Sequence, residues 1–94
     1  MPSAQQLESV RRRLVNTLSN PLIKQLLDDL FEDNVLNDGE KDAILEENPS
    51  RADRARCLID IVKRKGDDAS SKLIAHLQER DPLLYNDLDW PQPQ

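Results

Sequence analysis

The segment from Ser50 to Gly66 constrains the fold more than any other part of the chain. Its start fits an α-helix, because Ser50 followed by Asp53 matches a capping box, in which side chains satisfy orphan backbone N–H groups. Gly66 fits the left-handed end of such a helix. Between these signals, apolar residues recur at helical spacing. The segment therefore predicts an amphipathic helix that needs partners for one side, formed by Ala52, Ala55, Leu58, Ile59 and Val62.

The residues before this segment supply partners of the same kind. A first helix begins at Ser3 and ends before Asn20, which we expect to cap a second helix that has Pro21 in its first position. The second helix carries adjacent apolar residues every four positions, which is typical of a broad buried stripe. Its apolar residues are Leu22, Ile23, Leu26, Leu27, Leu30 and Phe31. Both helices are predicted to contribute to one aliphatic core.

Capping signals define three more helices. Asn37 with Glu40 predicts a capping box at the start of a short third helix. Asp67 or Asp68 is expected to cap the fifth, and Asp81, followed by proline, begins the sixth. Six helices with short connections predict an all-α, antiparallel six-helix bundle.

Composition limits what such a bundle can do. The 94 residues suit one domain, which we place at 1–88, with the Pro- and Gln-rich residues 89–94 as a tail or the start of a linker. A net charge of −5 argues against a general nucleic-acid binder, and no apolar run is long enough to predict a membrane span. With no signal peptide recognisable, we expect a cytoplasmic protein.

No catalytic, cofactor or metal site is expected. The single cysteine, Cys57, cannot form an internal disulfide or a multi-thiolate metal site, and no nucleophile motif surrounds it. We expect Cys57 to be partly buried and the only histidine, His76, to lie on the surface. The acids lack the spacing of a calcium loop, and two glycines, Gly39 and Gly66, are too few for a phosphate-binding loop.

Acidic and basic residues are segregated along the chain. Residues 28–48 contain nine acids and one base, whereas residues 51–65 contain six bases and two acids. Residues 1–24 contain four bases and one acid. This alternation is the first indication of function, because oppositely charged surfaces can recognise each other.

Four short motifs follow one another in an order that resembles a known family. Residues 26–30 read LLDDL, residues 35–37 read VLN, residues 53–60 read DRARCLID and residues 65–66 read KG. In this order, and with an acidic second and a basic fourth helix, they resemble a caspase recruitment domain (CARD) of the death-fold superfamily. The resemblance covers residues 4–88 and is greatest to CARDs of inflammatory caspases and inflammasome sensors.

The resemblance implies a six-helix Greek-key bundle, with a kinked first helix and no catalytic activity of its own. It implies binding to other CARD proteins and to further copies of the chain, often in filaments, within caspase-activating complexes of inflammasome or cell-death signalling. The commonest contact in the family joins a basic patch on helices 1 and 4 to an acidic patch on helices 2 and 3. By position, Arg11, Arg12 and Arg56 match the basic side and Asp28 matches the acidic side.

The second helix departs from the rules that stabilise helices, which is expected where a surface serves a partner. Asp28 and Glu32 repel each other by about 0.2–0.5 kcal/mol, and with Asp33 they crowd the end where the helix dipole disfavours anions. A solubilising acidic face is the alternative. We predict a basic patch of Arg11, Arg12, Arg13, Arg54, Arg56 and Arg64, and an acidic patch of Asp28, Asp29, Glu32, Asp33 and Glu40.

Two parts of the basic patch stay open to another interpretation. Arg56 and Arg64 each lie four residues from Asp60, so the fourth helix can form a ladder of pairs with itself. A straight helical wheel puts Arg12 outward and Arg11 near the apolar edge, whereas a kink would change that phase.

Three alternatives to a CARD that acts as an assembly module for caspase-activating complexes also stay open. The chain can be the prodomain of an inflammatory caspase, a cysteine protease whose catalytic domain lies outside this sequence. It can be a CARD-only decoy or adaptor. It can also be a helical scaffold from an unrelated family that binds one partner helix in a groove.

Overall fold

The computed structural model describes residues 2–88 and residue 90, and residues 2–88 form six α-helices without a strand. The helices are α1 (Ser3–Thr17), α2 (Asn20–Glu32), α3 (Asp38–Glu46), α4 (Arg51–Lys65), α5 (Asp67–Arg80) and α6 (Pro82–Asp87). The all-α six-helix fold predicted from the sequence is confirmed. The predicted tail, apart from Trp90, lies outside the described residues.

The Ser50 segment forms the centre of the bundle. As α4, it packs against α1, α2, α3 and α5. Four of its five predicted core positions are completely buried, whereas Ala52 is partly buried at the edge of the core. The four buried residues are Ala55, Leu58, Ile59 and Val62. α4 is therefore in contact with four of the other five helices.

Several helix starts follow the local signals. Asn37 and Glu40 form the predicted capping box, in which each side chain accepts the backbone N–H of the other residue, at 2.8 and 3.0 Å. The Ser50 hydroxyl accepts the N–H of Asp53 at 3.1 Å, which is half of the predicted box. The Asp81 side chain caps α6.

The predicted cap of α2 is wrong by one residue. Ser19, not Asn20, is the N-cap, and its hydroxyl accepts the N–H of Leu22 at 3.3 Å. Pro21 therefore occupies the second helical position. Since the second N–H of a helix is also one of its orphan donors, proline fits there as well as in the first position.

The predicted cap of α5 is also wrong. The N-cap is Gly66, which has no side chain, and neither Asp67 nor Asp68 caps this helix. Asp67 instead accepts the backbone N–H of Ala4 at 3.0 Å and so caps the start of α1.

A neighbouring helix also caps the C-terminal end of α1. Arg51, at the start of α4, donates from Nη1 to the backbone oxygens of Val15 and Leu18, at 2.7 and 2.8 Å. α1 has no side-chain cap of its own and no basic residue in its last turn. Tertiary contacts therefore satisfy backbone groups at both of its ends.

One member of the predicted apolar stripe of α2 is not buried. Phe31 is 37% exposed, and the ammonium group of Lys41 lies 5.2 Å from the centre of its ring. The other five residues of the stripe are buried. Phe31 lies in the last turn of α2, where the stripe reaches the edge of the bundle and the lysine covers the ring.

Candidate functional site

A shallow groove between α1 and α4 brings basic residues from both helices together. Arg11 and Arg12 of α1 and Arg56 of α4 line this groove, together with Val15 and Asn16. The two helices pack side by side, so side chains that are far apart in the sequence share one surface. We refer to this site as the α1–α4 groove.

Arg11 forms a two-point ion pair across the groove edge. Its Nε and Nη2 donate to the two carboxylate oxygens of Asp60 on α4, each at 2.9 Å. This hydrogen bonding holds the pKa of Asp60 below its ordinary value and raises the pKa of Arg11 above its own. Charge-assisted pairs of this geometry are among the stronger hydrogen bonds in proteins. The pair therefore fixes α1 against α4.

The ladder along α4 that the spacing left open does not form through Asp60, whose carboxylate pairs with Arg11 of α1 instead of with arginines of its own helix. Arg56 pairs instead with Asp53, one turn earlier, at 2.8 Å. Arg64 makes only a long contact, 3.5 Å, from Nε to the backbone oxygen of Asp60. The Arg56–Asp53 pair is half exposed, and exposed pairs of this kind contribute at most about 1 kcal/mol. Arg56 can therefore exchange Asp53 for another carboxylate at little cost.

The remaining predicted basic residues differ in their exposure and bonding. Arg12 is exposed and forms no ion pair within residues 2–88. Arg13 donates to the backbone oxygen of Asp87 at 3.0 Å, and Arg54 donates to that of Asn48 at 2.8 Å. Arg13 and Arg54 thus help to hold the fold, whereas Arg12 is the basic residue most open to a partner.

The straight-wheel interpretation of α1 agrees with these positions. Arg12 is exposed, as the wheel puts it, and Arg11 is partly buried beside the apolar residues of α1.

The exposed side of α2 carries the acidic residues that are accessible to a partner. Asp28 accepts from the ammonium group of Lys41 at 2.8 Å, which links α2 to α3. That bond raises the pKa of Lys41 above its ordinary value. Glu32 is exposed and forms no ion pair within the described part of the chain. Asp28 and Glu32 therefore define the exposed acidic surface.

Asp29 was predicted as part of the acidic patch, but its side chain is buried. Its two carboxylate oxygens accept from Nε and Nη2 of Arg80 on α5, at 2.8 and 2.7 Å. The arginine holds the pKa of Asp29 below its ordinary value. Asp29 therefore faces α5, where it links two helices, because it lies next to the apolar stripe of α2 rather than opposite to it.

The last two predicted acidic residues also have intramolecular partners. Asp33 contacts Nε2 of His76, which is partly buried between α2 and α5 rather than fully on the surface as expected. Glu40 is held by the backbone N–H of Asn37 and by Lys65, at 3.0 Å from its ammonium group, and these contacts lower its pKa. Both carboxylates are thus less available than Asp28 and Glu32, which lie on the outer side of α2.

Sequence reasoning missed the residues that position these surfaces. Asp60, Asp53 and Lys41 each contact a predicted patch residue, but none was assigned to a patch. The spacing of Asp53 and Arg56 on one helix was a visible signal for their pair. Nothing local could indicate that Asp60 meets α1.

Groups that could supply other chemistry are few in the described residues. Cys57 is partly buried, as expected. Within residues 2–88 and 90, no group of three or more His, Cys, Asp or Glu side chains is arranged to hold a metal ion. None of the helices found there is long and apolar enough to cross a membrane.

Comparisons with known proteins agree with the six-helix fold. The sequence model of the caspase recruitment domain family matches residues 4–89. The chain is 42% identical to Caspase-1-A of Xenopus laevis over 88 residues, which are 94% of this chain and 23% of that protein. It is 39% identical to human Caspase recruitment domain-containing protein 18 over 80 residues, which are 85% of this chain and 89% of that protein.

A third relative is a much longer protein than this chain. The chain is 32% identical to NLR family CARD domain-containing protein 4 of Xenopus tropicalis over 75 residues, which are 80% of this chain and 7% of that protein. No solved structure matches the chain. The chain thus spans about a quarter or less of the caspase and NLR relatives and most of the human protein.

Proposed function

The chain belongs to the caspase recruitment domain family of protein-interaction modules, and we propose that it acts by charge-complementary association between CARDs. The basic surface of one molecule consists of Arg11, Arg12 and Arg56 at the α1–α4 groove. It meets an acidic surface of Asp28 and Glu32 on α2 of another. The observation that carries the proposal is the groove itself, in which two helices present three guanidinium groups on one surface.

Association of this kind need not close into a ring. Each molecule carries a basic and an acidic surface, so a contact that uses one of each leaves one of each unused at the ends. Heterologous contacts that do not close build open helical assemblies. We therefore propose self-association into filaments, which would collect other CARD proteins, a caspase, an adaptor or a sensor, in the cytoplasm.

The same relatives support two settings for the domain. Similarity to Caspase-1-A favours a prodomain that brings caspases together for activation in inflammasome or cell-death signalling. The match to most of the human CARD-containing protein favours a CARD-only adaptor or decoy. In either setting we place the interaction domain at residues 1–88. The coding sequence of the transcript downstream of Gln94 distinguishes these two settings.

Charge reversal tests the surfaces directly. Asp28→Arg and Arg56→Glu should each abolish the assembly of purified protein, measured by light scattering and electron microscopy, with an unchanged helical circular-dichroism spectrum. Glu79→Arg on α5 is the matched control for the first change, since it reverses an exposed carboxylate outside both surfaces. Assembly of either charge-reversed protein at the wild-type concentration would refute the proposed contact.

A pair of one-sided proteins isolates a single contact. Asp28→Asn with Glu32→Gln keeps only the basic surface, and Arg12→Gln with Arg56→Gln keeps the acidic surface and leaves only Arg11 of the basic one. Each protein alone should be monomeric, and an equimolar mixture should form a 1:1 complex by analytical ultracentrifugation. If the mixture stays monomeric while wild-type protein assembles, assembly uses other surfaces.

A further inference from the structure

A carboxylate lies at the edge of the basic surface, where simple charge complementarity would not place one. Asp60 is partly exposed beside Arg11, and an acidic partner surface would be repelled by it. Building on the proposed function, we infer that Asp60 is a positioning residue. It holds the guanidinium group of Arg11 in one orientation at the α1–α4 groove and so sets how a partner carboxylate is bound.

The geometry of the pair leaves part of Arg11 available. Asp60 engages Nε and Nη2, which form one edge of the planar guanidinium group. The other edge, formed by Nη1 and the second N–H of Nη2, carries donors that can pair with a carboxylate of a second molecule. The Arg11 side chain is 31% exposed and lines the groove, so this edge is within reach of a partner.

Asp60 is itself held in place. It belongs to the central helix α4, between the buried Ile59 and the partly buried Ile61. The ammonium group of Lys63 lies 3.9 Å from the same carboxylate and also pairs with Glu8 of α1. Two sets of ion pairs therefore fix α1 to α4 beside the groove, and the Arg11 side chain is ordered before any partner arrives.

Pre-ordering lowers the entropic cost of binding. Immobilising one long side chain at an interface costs about 0.5–1.5 kcal/mol, which corresponds to a factor of roughly 2 to 10 in the dissociation constant. Because Asp60 already immobilises Arg11 in the folded monomer, this side-chain entropy is not lost again when a partner binds. The second effect is selectivity, because a fixed guanidinium edge favours carboxylates that approach in one plane.

The test uses the one-sided proteins, with substitutions made only in the protein that keeps the basic surface. Asp60→Asn removes a negative charge, so electrostatics alone predicts tighter binding to the acidic partner. Positioning predicts the opposite, a rise of about 3- to 10-fold in the dissociation constant measured by isothermal titration calorimetry. The sign of the change thus separates the two explanations.

Asp53→Asn is the matched control. It removes the same charge from α4 and leaves the Arg11–Asp60 pair intact, and it frees Arg56 from its only intramolecular carboxylate within the described residues. We expect binding that is equal to or tighter than that of the parent. Because both changes remove one carboxylate from the same helix, a difference between them reports on Arg11.

Arg11→Lys is a second probe that does not depend on the folding of the Asp60 variant. Lysine keeps the charge but cannot make the two-point pair, so binding should weaken by a similar factor. Combined with Asp60→Asn it should add little, because both changes remove one arrangement. Thermal unfolding of each protein separates lost stability from lost affinity.

Each outcome has one meaning. Weaker binding of the Asp60→Asn protein, with non-additivity in the double variant, supports the positioning role. Unchanged or tighter binding, whether or not stability falls, overturns it and leaves Asp60 as a link between helices. Absence of binding between the parent one-sided proteins refutes the proposed function instead, so the two failures are distinct.

Discussion

At the scale of single residues, Gly66 shows how one backbone conformation restricts the choice of side chain. Its φ is 109° and its ψ is −171°, a region that is almost exclusive to glycine, yet an added Cβ would meet no atom within 4 Å. The cost of a side chain here is therefore conformational. Gly66→Ala should lower the free energy of unfolding by about 1–3 kcal/mol, measured by urea denaturation.

The other glycine provides the control. Gly39 lies within α3 at a negative φ, and an added Cβ would sit 3.4 Å from the capping oxygen of Asn37, which is close to ordinary contact. Gly39→Ala should change stability by less than about 0.5 kcal/mol. Equal losses from both alanine substitutions would show that the backbone conformation at Gly66 is not the cause.

Asp29 makes acid stability the second prediction at this scale. Asp29→Asn breaks the pair with Arg80 and should cost about 1–3 kcal/mol at neutral pH. Because Arg80 lowers the pKa of Asp29, the pair contributes fully above the ordinary value of 3.8 and is lost as the pH falls below it. The stability difference between wild type and variant should therefore shrink below that pH.

Urea denaturation at pH 6 and at several pH values below 3.8 measures this difference. Asp60 and Glu40 also have lowered pKa values and remain in the variant, so the variant should still lose stability in acid. A difference that stays constant down to the lowest pH would mean that the Asp29 carboxylate does not act through its charge.

At the scale of helices, α1 depends on its neighbours for its start. Asp67→Ala removes the side-chain acceptor that the described residues provide for the N–H of Ala4 and should cost about 1 kcal/mol, a typical value for a lost N-cap. Asp68→Ala is the control, because Asp68 lies in the same first turn of α5 but pairs with Lys72 of its own helix on the surface, at 3.4 Å. If urea denaturation shows that both variants lose similar stability, the loss comes from removing an anion near the N-terminal dipole of α5 and not from uncapping α1.

The acidic end of α2 predicts opposite effects on stability and on binding. Glu32→Gln relieves the repulsion from Asp28 and removes an anion near the helix C-terminus, so stability should rise by about 0.2–0.5 kcal/mol. The same change should weaken binding of the one-sided protein that carries the acidic surface to its basic partner. Gln25→Glu, which adds an exposed charge nearer the start of α2, is a control for total charge.

If the Glu32→Gln variant binds its basic partner as well as the parent does while its stability rises, Glu32 only makes the exposed face of α2 soluble. That outcome would favour the alternative interpretation of the acidic helix. A fall in both quantities would instead indicate that Glu32 supports the fold.

At the scale of the whole molecule, salt should slow association. Oppositely charged exposed surfaces steer encounter, and screening shortens from about 10 Å at about 0.1 M salt to about 3 Å at about 1 M. The association rate of the one-sided pair should therefore fall steeply over this range, measured by stopped-flow fluorescence, while the dissociation rate changes less. An association rate that does not depend on salt would exclude charge steering.

Much of the fold could be predicted because its signals are local. Periodic apolar residues placed the buried sides of the helices, and Asn37, Ser50 and Asp81 marked helix starts through bonds that span a few residues. The failed prediction for the cap of α5 has a non-local cause. Asp67 caps another helix, because its partner comes from a distant part of the sequence.

In the candidate site too, the features set by local sequence could be predicted and those set by contacts between helices could not. The sequence by itself determined an all-α domain with an acidic second helix and basic first and fourth helices, since composition and periodicity belong to single segments. Only the tertiary structure decided which charges are available. Packing of α1 on α4 paired Arg11 with Asp60, and packing of α2 on α5 buried Asp29 against Arg80. An ion pair needs two groups within a few ångströms, and for residues on different helices that distance is set by how the helices pack.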